Sequence, residues 1–230
     1  LVLAATNQVP AIVRGGGTSV GIRMPAHPVA LALINACSPL AAPSANRSGL
    51  PSPRTGDEVW EDLAGRISLL LDAGATPGGL ESTVLDLTQE EPRIIRPGGI
   101  PREQIARCLN REVLWIQDQS PASALPHYQT TAQLMVTTCT ELEELLNQLT
   151  GKRVAIIANN IPKAAQKSGL PIFNLEKAGE LYSLLRRAEK EKVEVLILAK
   201  DAGLPWDEAL EHRVQAARKS WGLGLRSDTN

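Results

Sequence analysis

Lysine is missing from the first 151 residues of this 230-residue chain, where every cationic side chain before Lys152 is an arginine. That absence removes a Walker-type GK[ST] loop and Schiff-base lysine chemistry from the region. Arginine keeps its charge and offers carboxylates and phosphates a planar fork of donors, where lysine offers a point charge and a tunable amine. Cysteine is scarce: Cys37, Cys108 and Cys139 stand far apart in no paired motif. An odd, scattered set suits a reducing compartment, and each reads as a small buried apolar residue. No apolar run reaches the ~18 to 20 residues of a membrane span, and no charged start followed by an apolar stretch marks a leader. The default compartment is the cytoplasm. A net charge of −1 leaves no cationic surplus of the kind that feeds non-specific nucleic-acid binding, although a local basic cleft is compatible with it. His27 reads as a helix cap and His212 as a solvated face residue. Neither completes a cluster of metal-ligand spacing, so no structural metal is expected.

What is present is the text of a folded protein. Hydrophobic residues make up 43% and charged residues 21%, enough to bury a core. Domains usually run roughly 100 to 150 residues, so the length fits one and a half or two. Turn-rich text fills the first part: GGG, PSANRSGLPSPRTG, TPGG and RPGG. Between these lie expected strands, SVGIRM, ISLLLDA and STVLDL, and expected helices, HPVALALINA and DEVWEDLAG, with apolar faces at helical spacing. The chain opens with LVLAATNQVPAIV, already inside what reads as a strand, and the expectation is that a beginning has been lost. After Trp115 the polar, aperiodic QDQSPASALPHYQTTAQ reads as a linker. Beyond it strands (QLMVTT, RVAIIAN, PIFNLE, VEVLILAK) alternate with helices (ELEELLNQLTG, KAGELYSLLRRAEKEK, WDEALEHRVQAARK), the pattern of a small, mostly parallel sheet with helices packed on it.

Polar residues gather at the ends of these elements. In GTSVGIRMPAHP, strand alternation puts positions 19, 21 and 23 on one face, so the Ser19 hydroxyl and the Arg23 guanidinium address one ligand or line an exposed strand. The loop AAPSANRSGLPSP carries Ser44, Asn46, Ser48 and Ser52 among prolines, suited to offering N–H groups and hydroxyls to phosphate, or simply to a surface. ESTVLDL sets Glu81, Ser82 and Thr83 at the mouth of a strand, and Arg96 precedes PGG at the end of another, where a fork-shaped cation can grip phosphate. Four such clusters on strand ends point to one cleft.

GIRMPAHP, APSANRSGLPSP, GGLESTVLDL and IIRPGGIPREQI, in this order, resemble the YrdC-like domain of threonylcarbamoyl-AMP synthases. The region from about residue 133 to 220 resembles, by order of elements, the Rossmann-like C-terminal domain of the long form. The resemblance implies an α/β fold: a YrdC-like twisted mixed sheet with helices, incomplete at its start, in residues 1–116, a linker in 117–132, and a small Rossmann-like parallel α/β domain in 133–230. It implies a nucleotidyltransferase joining L-threonine, bicarbonate and ATP into threonylcarbamoyl-adenylate with release of pyrophosphate. The product feeds a tRNA-modifying threonylcarbamoyl transferase complex. By the same resemblance Ser19, Ser44, Ser52 and Arg96 contact ATP, with Asn46 completing an S-x-N pair, while Arg23, the Ala42 backbone and Ser82 hold threonine. Magnesium accompanies ATP to offset its charge. The family's K-x-x-x-R pair and an earlier threonine-binding hydroxyl have no counterpart here, so this stretch is expected not to turn over alone. The linker reads SPASALPHYQT, keeping His127 and Tyr128 of the family's H-Y-A-P. Tyr128 is implied either as an ATP contact or as an aromatic tethered against the domain surface. The competing reading is a YrdC-like RNA-binding or regulatory module without catalysis.

Overall fold

Two runs without a polar residue, Val154–Ile157 and Val195–Ala199, are buried at every position and form the centre of a sheet. Side chains alternate between the faces of a strand, so a strand covered on both sides must be apolar throughout. Val195, Ile197 and Ala199 enter one core cluster and Leu196 and Leu198 the other, which is that alternation in three dimensions.

The computed structural model describes residues 1–116 and 128–222. The remaining residues, which include most of the expected linker and His127, lie outside the described set. Contacts divide the chain into two units, Leu1–Ser44 with Glu81–Ser120, and Ala45–Leu80 with Pro121–Asn230. By contacts, residues 45–80 group with the C-terminal region.

In the first unit, strands β1 (Val2–Ala4), β2 (Ser19–Gly21), β3 (Val84–Asp86), β4 (Arg93–Arg96) and β5 (Leu114–Trp115) form a mixed sheet in the order β2-β1-β3-β4-β5. β1 runs antiparallel to β2 and parallel to β3, and β4 antiparallel to β3 and parallel to β5. Leu85, Ile94 and Val113 are its buried core, with Ile105, Ala106 and Leu109 of helix α3 (Arg102–Leu109) against them. The left-handed Asn110 ends that helix, a role its short side chain tolerates. Helix α1 (Pro28–Cys37) buries no residue, contrary to the expected apolar face; Val29 and Leu33 are exposed. His27 stands at its N-cap position, but the side chain makes no capping bond. The proline at the start of the helix supplies the local start signal instead.

The second unit holds β6 (Gln133–Thr137), β7 (Val154–Ile157), β8 (Ile172–Phe173) and β9 (Val195–Ala199), parallel in the order β6-β9-β7-β8. Its helices are α2 (Gly56–Leu63), α4 (Leu142–Gln148), α5 (Lys163–Ser168), α6 (Leu181–Lys190) and α7 (Glu208–Gly222). α6 buries Leu181, Leu184, Leu185 and Ala188 at helical spacing. The expected parallel α/β arrangement is therefore observed.

Four further sequence expectations are corrected. ISLLLDA forms no strand: Leu69 and Leu71 are exposed and no ladder partner pairs with them among the described residues. Without a neighbour to satisfy its amides, an apolar alternation does not make a strand. α2 buries Asp62 rather than an apolar face, leaving Trp60 exposed. Cys37 and Cys108 are exposed and Cys139 is partly buried, so the three cysteines are not the buried apolar residues expected. His212, read as solvated, is also partly buried.

Candidate functional site

In the first unit the start of β3 and the end of β4 meet, with Val84 registered against Arg96 and a register shift between Val84 and Leu85. That pairing carries Glu81-Ser82-Thr83 alongside Arg96-Pro97-Gly98-Gly99. Arg96 Nη2 donates to the Ser82 carbonyl at 2.9 Å. Its Nε is buried and finds no acceptor among the described residues. The Thr83 hydroxyl donates to the Ile100 carbonyl at 2.8 Å and accepts from the Ile100 amide at 3.1 Å, closing the turn onto β3. Gly98 lies flat against this strand entrance: a Cβ there would sit 2.6 Å from the Ser82 carbonyl carbon and closer still to the Thr83 amide nitrogen and the Glu81 carbonyl oxygen. Glycine is the residue that lets two backbones approach so closely. The guanidinium is thus fixed to the chain through Nη2, while its enclosed Nε finds no acceptor among the described residues, and a planar fork so held suits an anionic oxygen.

Ser82 and Arg96 are accordingly brought together. Ser19 lies on β2 opposite Ala4, half-buried. Arg23 falls beyond the strand, which ends at Gly21, so alternation does not align it with Ser19; it is exposed. Ala42 and Ser44 lie in irregular, exposed chain.

Asn46, Ser52 and Tyr128 belong to the second unit. The Asn46 amide nitrogen donates to the carbonyls of Arg47 at 2.8 Å and Leu50 at 3.1 Å, folding the loop on itself, while its Oδ1 is buried without a partner among the described residues. Gly49, at φ +87°, turns the loop so that its carbonyl accepts the Gln129 amide at 2.7 Å. The Pro51 carbonyl accepts Arg186 Nη2, placing a buried cation next to Ser52. Thr55 caps α2 by accepting the Glu58 amide at 3.2 Å, and the Glu58 carboxylate reaches back to the Arg54 amide, close to the capping-box pattern. Tyr128 is 8% exposed, and its ring stacks on that of Tyr182 with centroids 4.8 Å apart.

Sequence reasoning missed Asp62, Arg186 and the close approach at Gly98. A signal was there for Arg186, which lies within the stripe marked by Tyr182, Leu185 and Ala188 on α6. A charged residue inside an apolar stripe is a buried charge in need of a partner.

At the C-terminal edge of the parallel sheet, where open α/β folds commonly take ligands, the chain satisfies itself. Asp201 Oδ1 accepts the Cys139 amide at 2.6 Å. Desolvation chiefly, and then the hydrogen bond and charge of Asp201, raise the Cys139 thiol above its usual range, while the bond from Cys139 lowers the Asp201 carboxyl. A raised thiol holds less reactive thiolate. At pH 8, Cys139 should label with a disulfide reagent more slowly than the exposed Cys37 and Cys108, and Asp201→Asn should speed it. Labelling of Cys139 ahead of the other two, as followed by peptide mass, would contradict this.

A family model described as Telomere recombination, covering Sua5, YciO and YrdC, matches residues 1–98. A second, described as Threonylcarbamoyl-AMP synthase, C-terminal domain, matches residues 100–217. The chain is 35% identical over 214 residues to a threonylcarbamoyl-AMP synthase of Pyrococcus abyssi, covering 86% of this chain and 63% of the relative. It is 36% identical over 210 residues to that of Bacillus subtilis, covering 80% of this chain and 59% of the relative. The chain therefore spans about three fifths of the length of these curated relatives. Among solved structures, P. abyssi Sua5 complexed with L-threonine superposes with a TM-score of 0.81 at 31% identity, over 96% of this chain and 70% of that one.

Proposed function

The chain belongs to the threonylcarbamoyl-AMP synthase family, and from that premise we propose that it takes part in making L-threonylcarbamoyladenylate from L-threonine, bicarbonate and ATP. The observation that carries the reading is the Arg96 fork, anchored by Nη2 to the Ser82 carbonyl with Nε unpartnered among the described residues, on the turn that Thr83 and Gly98 press onto β3. It is a cation held at a strand end with a donor that the described chain leaves unsatisfied.

The chemistry asks for alignment more than for covalent help. Bicarbonate gives up hydroxide to become carbon dioxide, the threonine amine attacks its carbon, and the proton the amine loses joins that hydroxide, so that carbamate and water form. A carbamate oxygen then attacks the α-phosphorus of ATP, the bond to the bridging oxygen breaks, and pyrophosphate leaves. Clamping the reactants in line and neutralising the triphosphate supply most of the acceleration such a step needs. Arg96 is assigned to the phosphates and Ser82 to threonine. Arg23, exposed just past β2, is assigned to the threonine carboxylate. Ser19, Ser44 and Ser52 are assigned to nucleotide oxygens, and Ala42 to threonine through its backbone. Asn46, whose amide nitrogen is engaged within the loop, would meet ATP through Oδ1 only if a donor on the ligand faced it. Magnesium would enter with the ATP substrate, held in part by its phosphates, to offset their charge. Consumption of the product by a tRNA-modifying transferase complex in the cytoplasm belongs to the same proposal.

Calorimetric titration tests the assignments. Arg96→Ala should weaken ATP by about tenfold or more, the worth of a charge-assisted hydrogen bond, and leave L-threonine binding the smaller change. Unaltered ATP affinity in a folded Arg96→Ala protein would remove Arg96 from the nucleotide site.

A further inference from the structure

The loop assigned to nucleotide does not stand on its own. Helix α2 follows it and presents Glu58, Glu61 and Asp62, and helix α6 answers with Ser183, Lys190 and Arg186. Ser183 donates to Glu58 Oε1 at 3.2 Å, and Lys190 Nζ to Glu61 Oε1 at 2.6 Å. At the centre Arg186 makes a two-pronged pair with Asp62, Nη1 to Oδ1 at 3.2 Å and Nη2 to Oδ2 at 2.7 Å. The pair is buried, with side chains 9% and 5% exposed, whereas those of Lys190 and Glu61 are 60% and 45% exposed. The same Nη2 also donates to the Pro51 carbonyl, one peptide from Ser52. A buried cation with a fixed fork can hold a carboxylate and a backbone carbonyl at once, which a lysine ammonium on a flexible stem does less well. From the other side the loop is pinned by the Gln129 amide on the Gly49 carbonyl.

We propose that Arg186, held by Asp62, is a positioning residue: it sets the Pro51–Ser52 peptide, and with it the nucleotide-facing loop of residues 45–53, from the C-terminal sequence region. The assignment rests on the reading that this loop meets ATP. It gives the C-terminal region a part in nucleotide affinity without any ligand contact of its own. Pro51 being buried at this point keeps the contact out of competition with water.

The test separates this from a plain stability role. Arg186→Lys and Asp62→Asn are titrated with ATP and with L-threonine, and Lys190→Ala, which breaks the exposed pair on the same helix, serves as the control. Both buried-pair variants should weaken ATP by about tenfold, the scale of one lost charged hydrogen bond, with L-threonine changed less than twofold and Lys190→Ala unchanged for both. Equal losses of both ligands, or unchanged ATP affinity, would overturn the proposal. Wild-type protein that binds no ATP would sink the reading of the loop instead, and that outcome is visible before any variant is made. Hydrogen exchange on the wild-type protein supplies a readout that survives a variant failing to fold. Amides of residues 47–54 should open together with α6, and free exchange there while α6 stays protected would also overturn the proposal.

Discussion

Asp62→Ala should cost about 3 to 5 kcal/mol of unfolding free energy, because it strands the Arg186 guanidinium in a buried site without its counter-charge. The carboxylate is 5% exposed and the guanidinium 9%, so water cannot replace the lost partner. The remaining bond to the Pro51 carbonyl would have to satisfy a full positive charge alone. Replacing both partners together, Asp62→Leu with Arg186→Met, should recover most of that loss, since removing a whole buried pair removes its desolvation cost as well. Lys190→Ala should change stability by about 1 kcal/mol or less, as exposed pairs usually do. Urea unfolding followed by circular dichroism reads all three. A single Asp62→Ala no worse than Lys190→Ala would mean that the buried pair contributes nothing distinctive. The double variant carries a second consequence: it should regain stability without regaining ATP affinity, because Met offers the Pro51 carbonyl no donor.

Gly98→Ala should also be damaging, by a different route. The added methyl meets only backbone, at Glu81, Ser82 and Thr83, so no side chain can swing aside to admit it. Something in the β3–β4 pairing has to shift, at an overpacking cost of about 1 to 3 kcal/mol. The same shift would pull Arg96 from the Ser82 carbonyl and Ile100 from Thr83. ATP affinity should therefore fall by about tenfold or more, the size expected for loss of the Arg96 contact itself. Gly99 provides the matched control, because a Cβ there meets nothing within 4 Å. Gly99→Ala should bind ATP nearly as the wild type does. Equal behaviour of the two alanines, measured by titration on folded protein, would contradict the close-approach argument.

How far the sequence could be read depended on whether a residue's partner was local. Val154–Ile157 and Val195–Ala199 are apolar throughout and were expected as strands of a parallel sheet, which they are. Continuous burial on both faces leaves no room for another pattern. The short strands of the first unit were harder. β1 covers only Val2–Ala4 of the long opening run, and residues 67–73 form no strand despite their apolar content. What decides such segments is a neighbour to pair with, and that is absent from local text. The helix of residues 28–37 was expected with an apolar face buried, and its face is uncovered in the described chain.

The candidate site divides along the same line. Ser82 and Arg96 were singled out from turn-bounded text at strand ends, and the β3–β4 register does bring them into contact. Arg23 was grouped with Ser19 by strand alternation, which fails because the strand stops at Gly21. The Asp62–Arg186 pair is separated by 124 residues, beyond the reach of any periodicity argument. An acidic helix stripe and an arginine inside an apolar stripe were each visible alone; only the fold shows that they satisfy one another.

Arg23, exposed just past β2, and Ser82, whose carbonyl holds Arg96, are the residues proposed to recognise L-threonine. Titration of L-threonine into the folded protein, beside its Arg23→Ala and Ser82→Ala variants, tests that recognition most directly. Saturable binding is expected, weakened by about tenfold or more in Arg23→Ala, the scale of a lost arginine–carboxylate pair. Absence of threonine binding to the folded wild-type protein, or equal affinity in Arg23→Ala, would contradict it.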